Sequence, residues 1–470
     1  MTLNTGNIQI SEFSILGLHG NKNIRLKLED NTLILVGANG TYKTTILTLF
    51  YSFLAGDVEG LAKYIFDSLE MVINEKSYSV QYTDIEEFLF VEWIKQANLP
   101  SIVKRELLNN NSLLSKNTLR KLEEEESLES MLSFLSENKA PVSRERSQSQ
   151  QAMYHYLAIV KEIKKVLEPH NIQFLYLPTY RRIEEKLQKL DEPQNKRRMF
   201  SSLPLDKEQD ETFCRKIIEF GMEDIQKLLE NKIKFLKNKK TESETYLKNE
   251  FAEMAYDEEV YQNISKDDFE KYSSDLIQKV FDRIKKDEQI KPKLRSSLLD
   301  PHILEVEESK SLKTLHILKR YIESYQKTFE YEEPLNQLCE ACNRYLHSNE
   351  IVYDPTEPAI YIRNRKTSEN SLEHRIELSQ LSSGEKQLVS LFTHLYLADG
   401  TQYFVIIDEP EISLSVEWQE TFLEDIRNGT FCSGLFVATH SPFMFDNSLR
   451  KYAHGVGRFL EVVEPSDDKQ

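Results

Sequence analysis

"VGANGTYKTT", residues 36–45, decides how the chain folds. It follows the apolar run "TLILV" (32–36) and leads into "KTTILTLFYSFLAG" (43–56), whose apolar spacing is helical and which ends in a glycine stop. A buried strand, a glycine-bearing turn and a helix in that order predict a phosphate-binding loop of the pattern GxxxxGK[ST]. Gly37, Lys43 and Thr44 occupy their places, but Tyr42 stands where the second glycine belongs. The mechanics survive that change. Gly37 and Gly40 let backbone amides face phosphate oxygens, the helix contributes the positive end of its dipole, Lys43 reaches terminal phosphates, and Thr44 offers a hydroxyl to magnesium.

Upstream, "IQISEFSIL" and "NIRLKL" alternate like half-buried strands, and "LEMVINEKSYSVQY" resembles a hairpin. From about 95 to 168 the composition shifts to Leu, Glu, Lys, Ser and Asn, with "KLEEEESLESMLSFLSENK" helical and "SRERSQSQQ" (143–151) a connector. "IQFLYLPTYRR" (172–182) begins as a buried strand closed by Pro178, so the chain is expected to return to the core there. From 183 to about 347 it is charged and helical, and no heptad is sustained, which predicts a compact helical insertion rather than a long coiled-coil arm. The expected division is therefore 1–94, a helical insertion 95–347 with a core strand at about 172–178, and 348–470.

The last segment carries three more motifs. "LSSGEKQ" (381–387) puts Ser382 and the amide of Gly384 at a helix start, where a γ-phosphate could be held by hydroxyl, amides and dipole together. "YFVIIDEPE" (403–411) is an apolar strand ending in two carboxylates: Asp408 suits magnesium, and Glu409 suits a general base that polarises the attacking water. "LFVATHSP" ends another strand in His440, which can contact the γ-phosphate or the water. Each has a structural alternative, since strands often end in Asp-Glu and a lone histidine often satisfies a local hydrogen bond. Their fixed order is what points to nucleotide chemistry.

Composition narrows the remaining classes. The 470-residue chain can bury a large core, and its four cysteines form no disulfide framework, in keeping with a reducing compartment. Cys339-Glu-Ala-Cys342 is read as ordinary helix thiols, because a structural zinc needs four ligands. No run approaches the roughly 20 apolar residues of a membrane span, and the N-terminus lacks a signal-peptide pattern, so a cytoplasmic address without membrane contact is expected. A net charge of −17 opposes a broad nucleic-acid footprint, although basic clusters at 195–198, 232–240 and 291–295 offer phosphate contacts.

Together, VGANGTYKTT, LSSGEKQ, VIIDEPEISL and ATHSP resemble the ABC-type ATPases, in the branch of SMC, RecF and OLD-like proteins whose head is split by a helical insertion. The fold implied is α/β, a mixed sheet flanked by helices and interrupted by a large, mostly helical insertion. The resemblance implies ATP and Mg2+ as ligands and a Walker A loop at Gly37, Asn39, Gly40, Lys43 and Thr44, with Tyr42 and Thr45 in the same nucleotide-binding stretch. It further implies a signature at Ser382, Ser383 and Gly384, with Ser383 in place of a second glycine, and a Walker B pair at Asp408 and Glu409. A D-loop near Ser413 and Leu414 and a switch histidine at His440 complete the set.

In that family the signature of one subunit completes the nucleotide site of another, so one set of motifs implies a head-to-tail homodimer or higher homo-oligomer around ATP. Arg181 and Arg182 are candidates for a further phosphate contact. The chain runs about 30 residues past His440, so no TOPRIM nuclease is expected after the head. "YLPTYRRIEEKL" and the insertion resemble the PtuA-type ATPases of Septu and retron-associated anti-phage systems. That resemblance implies an HNH-type, PtuB-like nuclease partner, and possible association with a reverse transcriptase and its reverse-transcribed DNA. The alternative is a RecF- or SMC-like DNA-repair or chromosome ATPase acting directly on DNA. Tyr42 in a position that favours glycine implies slow turnover.

Overall fold

The computed structural model describes residues 8–38, 40–86, 94, 99–108, 131, 146–177, 214–216, 222–254, 267–286, 290, 292–300, 309–366, 375–397 and 401–462. The N-terminal stretch forms β1 (Ile10–Leu18), β2 (Lys22–Lys27), β3 (Thr32–Val36), α1 (Lys43–Ala55), β4 (Ser68–Ile73) and β5 (Lys76–Gln81). Then come α2 (Arg146–Leu167), β6 (Ile172–Leu177), β7 (Cys214–Lys216), α3 (Met222–Met254), α4 (Ser274–Lys286) and α5 (Ser309–Tyr345). The chain continues through β8 (Asn349–Asp354), β9 (Ala359–Asn364), β10 (Arg375–Ile376), α6 (Ser383–Leu397) and β11 (Gln402–Asp408). It closes with α7 (Val416–Asn428), β12 (Cys432–Thr439), β13 (Ala453–Gly455) and β14 (Leu460–Val462).

Two compact units result: Met1–Glu219 with Gly400–Gln470, and Phe220–Asp399. These divisions differ from boundaries after residues 94 and 347. Tyr156, Val160, Ile163 and Leu167 of α2 belong to the core of the first unit, so the chain up to 219 stays with it. At the other end, Phe392 of α6 stacks on Tyr345 of α5 with ring centroids 5.6 Å apart, which keeps the 381–387 segment with the helical unit. The connector expected over 143–151 is instead largely the first turns of α2.

The first unit holds two sheets. One is wholly parallel, in the order β13-β3-β12-β11-β6-β7. Strands β3, β12, β11 and β6 in its middle are near-continuous apolar runs because both faces are covered. The other is antiparallel, in the order β14-β2-β1-β4-β5, and its β4–β5 hairpin turns at Asn74 and Glu75, both at positive φ. That pair of left-handed residues matches the right-handed twist of the flanking strands.

Helix α1 is buried almost all round, from Ile46 to Leu54, and so forms a core helix rather than a surface one. Phe50 meets Phe13 of the antiparallel sheet at 5.2 Å and Phe404 and Phe436 of the parallel sheet at 5.7 and 4.9 Å. Those edge-to-face and tilted rings add directional packing to area burial. Gly56 closes the helix at φ 69°, a left-handed cap that glycine adopts without penalty.

The second unit is built on α3 and α5, of 33 and 37 residues, and a three-stranded sheet ordered β10-β9-β8. Phe235 faces Tyr331 while Phe251 faces Tyr321, so the two long helices run antiparallel. At about 1.5 Å per residue, α5 spans roughly 55 Å, which makes this region longer than a compact insertion. The sequence hid it because α4 and neighbouring short segments also pack on the pair, so the apolar face is wider than a heptad seam. Leu247, Val280, Ile284, Leu298, Leu318 and Ile322 form the shared core. The "KLEEEESLESMLSFLSENK" segment lies outside the described residues, apart from Met131.

Candidate active site

The parallel register brings three strand ends level. Asp408 of β11 pairs with Ala438 of β12, and Thr439 of β12 pairs with Val36 of β3. The residues that leave the sheet next are Gly37, Glu409 and His440, at its carboxyl edge, where open α/β sheets bind ligands.

The glycine-bearing loop is drawn tight. Thr41 Oγ1 donates to the Ala38 carbonyl at 2.8 Å, and a Cβ on Gly37 would lie 2.8 Å from that hydroxyl, so a larger residue there would push Thr41 off its carbonyl. Gly40 has φ 80° and Tyr42 φ 66°. A left-handed tyrosine costs about 1–2 kcal/mol. Its ring is turned toward the β1–β2 hairpin, 5.8 Å from the His19 ring and 5.2 Å from the Lys22 amine. Tyr42 therefore occupies the glycine position while packing against the protein.

Lys43 is 4% exposed. Its amine donates to the carbonyls of Gly37 at 2.8 Å and Ala38 at 3.1 Å, and lies 2.9 Å from His440 Nε2. Burial pushes the Lys43 pKa down, while the carboxylates of Glu409, Asp408 and Glu411 pull against that effect. The ammonium can only donate, so its contact with His440 requires Nε2 to be the acceptor and the ring proton to sit on Nδ1.

Thr44 Oγ1 donates to Asp408 Oδ1 at 3.1 Å, and Asp408 is 2% exposed. A hydroxyl and a carboxylate facing each other are hard oxygen donors that fit magnesium. Mg2+ commonly takes only one or two protein ligands and fills its shell with phosphate and water. Among the described residues no group of three His, Cys, Asp or Glu comes together that could hold a metal by itself.

Glu409 also has a left-handed backbone, φ 52° and ψ 57°, held by its N–H donating to the Ala438 carbonyl at 2.8 Å. Consecutive carboxylates thereby part. Asp408 stays buried against Thr44, and Glu409 keeps a quarter of its side chain exposed with Oε1 3.4 Å from His440 Nε2. One imidazole nitrogen thus faces both the Lys43 ammonium and the Glu409 carboxylate.

Glu411 was not singled out from the sequence. Its Oε1 accepts the His440 backbone N–H at 2.6 Å and its Oε2 accepts the Thr439 hydroxyl at 2.8 Å, so one carboxylate fixes the end of β12. Gln419 adds a second tie, accepting from Ser441 Oγ at 2.6 Å and donating to the Leu414 carbonyl at 2.9 Å. The signal available in the sequence was the third carboxylate of "DEPE", two residues beyond the candidate base.

The remaining candidates lie elsewhere. Asn39, Arg181 and Arg182 fall outside the described residues, and Thr45 sits in the first turn of α1. Ser382 belongs to the helical unit, where its backbone N–H and hydroxyl both donate to Glu385 Oε2, at 2.9 and 2.7 Å. That reciprocal cap starts α6, on which Ser383 and Gly384 are the first residues. Leu414 lies in the turn before α7 and accepts from Gln419. Cys339 and Cys342 are buried on α5, and burial pushes the first thiol up to about 12 and the second well above its usual range. They are inert packing thiols.

A parallel sheet that delivers a lysine-bearing glycine loop, an Asp-Glu pair and a histidine to one edge defines a nucleotide-hydrolysing head. The chain matches the family described as AAA ATPase domain over residues 9–445, and it belongs to that family. It is an α/β ATPase domain interrupted by a mostly helical unit. Among solved structures it is similar to the Smc head domain with an extended coiled coil bound to the C-terminal domain of ScpA, from Pyrococcus furiosus. Identity is 12%, covering 93% of this chain and 91% of that one, with a TM-score of 0.31. The Smc head bound to the C-winged helix domain of ScpA matches at 11% identity, 93% and 90% coverage and a TM-score of 0.31. The Smc head with a coiled coil and joint from Pyrococcus yayanosii matches at 12%, 93% of each chain and 0.27. No curated protein matches. Among the described residues no helix is long and apolar enough to cross a membrane.

The Glu411 clamp generates a test. Glu411→Ala is expected to slow phosphate release by about 10- to 100-fold through misplacement of His440, with little change in nucleotide affinity. Steady-state kinetics beside fluorescent-nucleotide titration separate the two effects.

Proposed function

We propose that the chain is an ABC-type head of the SMC, RecF and OLD-like branch that binds ATP with Mg2+, hydrolyses it slowly, and through it controls a partner nuclease in anti-phage defence. The observation that carries the ATPase part is the position of Lys43, buried between the loop carbonyls and His440 and surrounded by Asp408, Glu409 and Glu411. Gly37, Gly40, Tyr42, Lys43, Thr44 and Thr45, with Asn39, form the nucleotide loop in this proposal. Terminal phosphates draw the Lys43 ammonium off its carbonyls, which leaves His440 Nε2 free to turn to the γ-phosphate or to Glu409. Glu409 takes the proton of the attacking water. Thr44 and Asp408 hold magnesium, which supplies charge neutralisation on the phosphates.

Ser382, Ser383 and Gly384 of a second copy close the site in a head-to-tail dimer. Exposed Ile412, Val416 and Phe443, at 50%, 50% and 44%, support that pairing. They lie on the three segments that Gln419 and Ser441 tie together next to the Glu409–His440 contact. Closing them against another copy removes apolar surface from water only in the nucleotide-loaded state. Glu409→Gln is expected to reduce hydrolysis by about 100-fold or more while ATP binding persists, so that ATP-dependent dimers accumulate. Light scattering with and without ATP reads the dimer, and wild-type turnover in the variant rules out Glu409 as the base.

Slow turnover follows from the anchoring of the loop. Lys43 is held by three contacts and the Tyr42 ring is pinned to the β1–β2 hairpin. Tyr42→Gly removes both the left-handed cost, about 1–2 kcal/mol, and the anchor. A several-fold rise in phosphate release is expected, with Tyr42→Phe close to wild type; an unchanged or lower rate in the glycine variant contradicts the account.

The defence role rests on the resemblance of "YLPTYRRIEEKL" and its insertion to PtuA-type ATPases. It makes an HNH-type nuclease the partner, with a reverse transcriptase and its DNA in retron-type systems. Purification from the native operon is expected to bring such a nuclease along. Recovery of the ATPase with duplex DNA and no protein partner favours the RecF- or SMC-like alternative.

A further inference from the structure

The helical unit contains a cavity of about 400 Å³, within the range of small-molecule sites, that the ATPase chemistry does not use. It opens among α3, α4, α5 and the turn at Pro355 and Thr356. Aromatic walls come from Phe251, Tyr321 and Tyr325, and Leu247, Ile290 and Leu294 complete its apolar lining.

Its polar feature is Arg283, on α4, whose side chain is 8% exposed. The guanidinium lies over the neighbouring rings of Tyr325 and Phe329, 4.9 and 4.7 Å from their centroids. Nη2 pairs with Glu332 Oε2 at 2.5 Å, and the other Glu332 oxygen accepts from Tyr353 OH at 3.0 Å. Both carboxylate oxygens are thus committed. Of the five N–H donors of a guanidinium, this pairing engages the Nη2 end, and Nε and Nη1 have no acceptor among the described residues at the edge of the cavity.

Because nothing among the described residues accepts from Nε or Nη1, a bound acceptor at the edge of the cavity would gain charge-assisted hydrogen bonds from them. Burial also pushes the Glu332 carboxyl up, with Arg283 and Tyr353 opposing that. The other lining charges tip the balance the same way. Lys240 donates to the Thr356 carbonyl and pairs with Glu244 at 3.5 Å, whereas Lys248 has no charged partner among the described residues. Aromatic walls, guanidinium donors that meet no acceptor among the described residues, and Lys248 select a flat ring system carrying one negative charge.

We propose that this cavity is a binding site for a small aromatic monoanion, the charged group meeting Arg283 and Lys248 and the ring lying against Tyr321, Tyr325 and Phe251. The site is independent of the ATPase residues and of the nuclease-partner proposal.

The probe is 8-anilinonaphthalene-1-sulfonate, an aromatic monoanion whose emission rises on burial, titrated into the full chain. One saturable site is expected, with binding of the uncharged analogue N-phenyl-1-naphthylamine weaker by about tenfold, because a charge-assisted hydrogen bond is lost. Leu294→Trp, which fills the cavity, should abolish the site, and Lys248→Glu at its rim should weaken it several-fold. Arg283→Gln should weaken it most, checked by circular dichroism because its ion pair is buried; the other two variants leave that pair in place. Equal affinity for the charged and uncharged probes, or sulfonate binding unchanged in both Leu294→Trp and Lys248→Glu, overturns the proposal.

Discussion

The parallel register of β3, β12 and β11 is the constraint on which the site depends. Val36, Thr439 and Asp408 end their strands in one row, so Gly37, His440 and Glu409 emerge together although they are far apart in sequence. A slip of one residue in β11 or β12 would exchange its two faces and take Phe404 or Phe436 away from Phe50, so packing on α1 holds the register. Packing around Phe50 therefore fixes the chemistry at the edge. The core and the site are one object.

At that edge the protein holds two non-glycine residues in left-handed conformations, Tyr42 and Glu409. Each costs on the order of 1–2 kcal/mol, and each is held by particular contacts. The Tyr42 ring packs on His19 and Lys22, and the Glu409 N–H stays bonded to Ala438. The strain has a use in both places. Tyr42 turns the chain into α1 with Lys43 pointing back at the loop, and Glu409 leaves the sheet while Asp408 remains buried against Thr44. Lys43 then links the two halves of the motif set through His440.

Much of this was legible in the chain, and for physical reasons. Continuous apolar runs closed by turn residues marked β3, β6, β11 and β12, because a doubly covered parallel strand has little freedom to be polar. Domain limits were less legible. Composition changes near residues 95 and 347, but compactness follows contacts, and α2 packs into the first unit while α6 packs onto α5. The length of α3 and α5 was hidden by the third layer of helix against them, which blurs the two-stranded pattern. Glu411 was missed because a carboxylate after Asp-Glu reads as surface charge until Thr439 and His440 are seen beside it.

By itself the sequence determined the order of elements, the loop that can meet phosphate and the residue types at the strand ends, since local periodicity and backbone permissiveness are properties of short segments. Tertiary structure decided the rest: that Lys43 rests on His440, that Tyr42 packs outward instead of crowding the loop, and that Asp408 and Glu409 face different surroundings. Those outcomes depend on which distant strands become neighbours and at what register. That is set by burying one shared core, a long-range cooperative choice that no short stretch encodes.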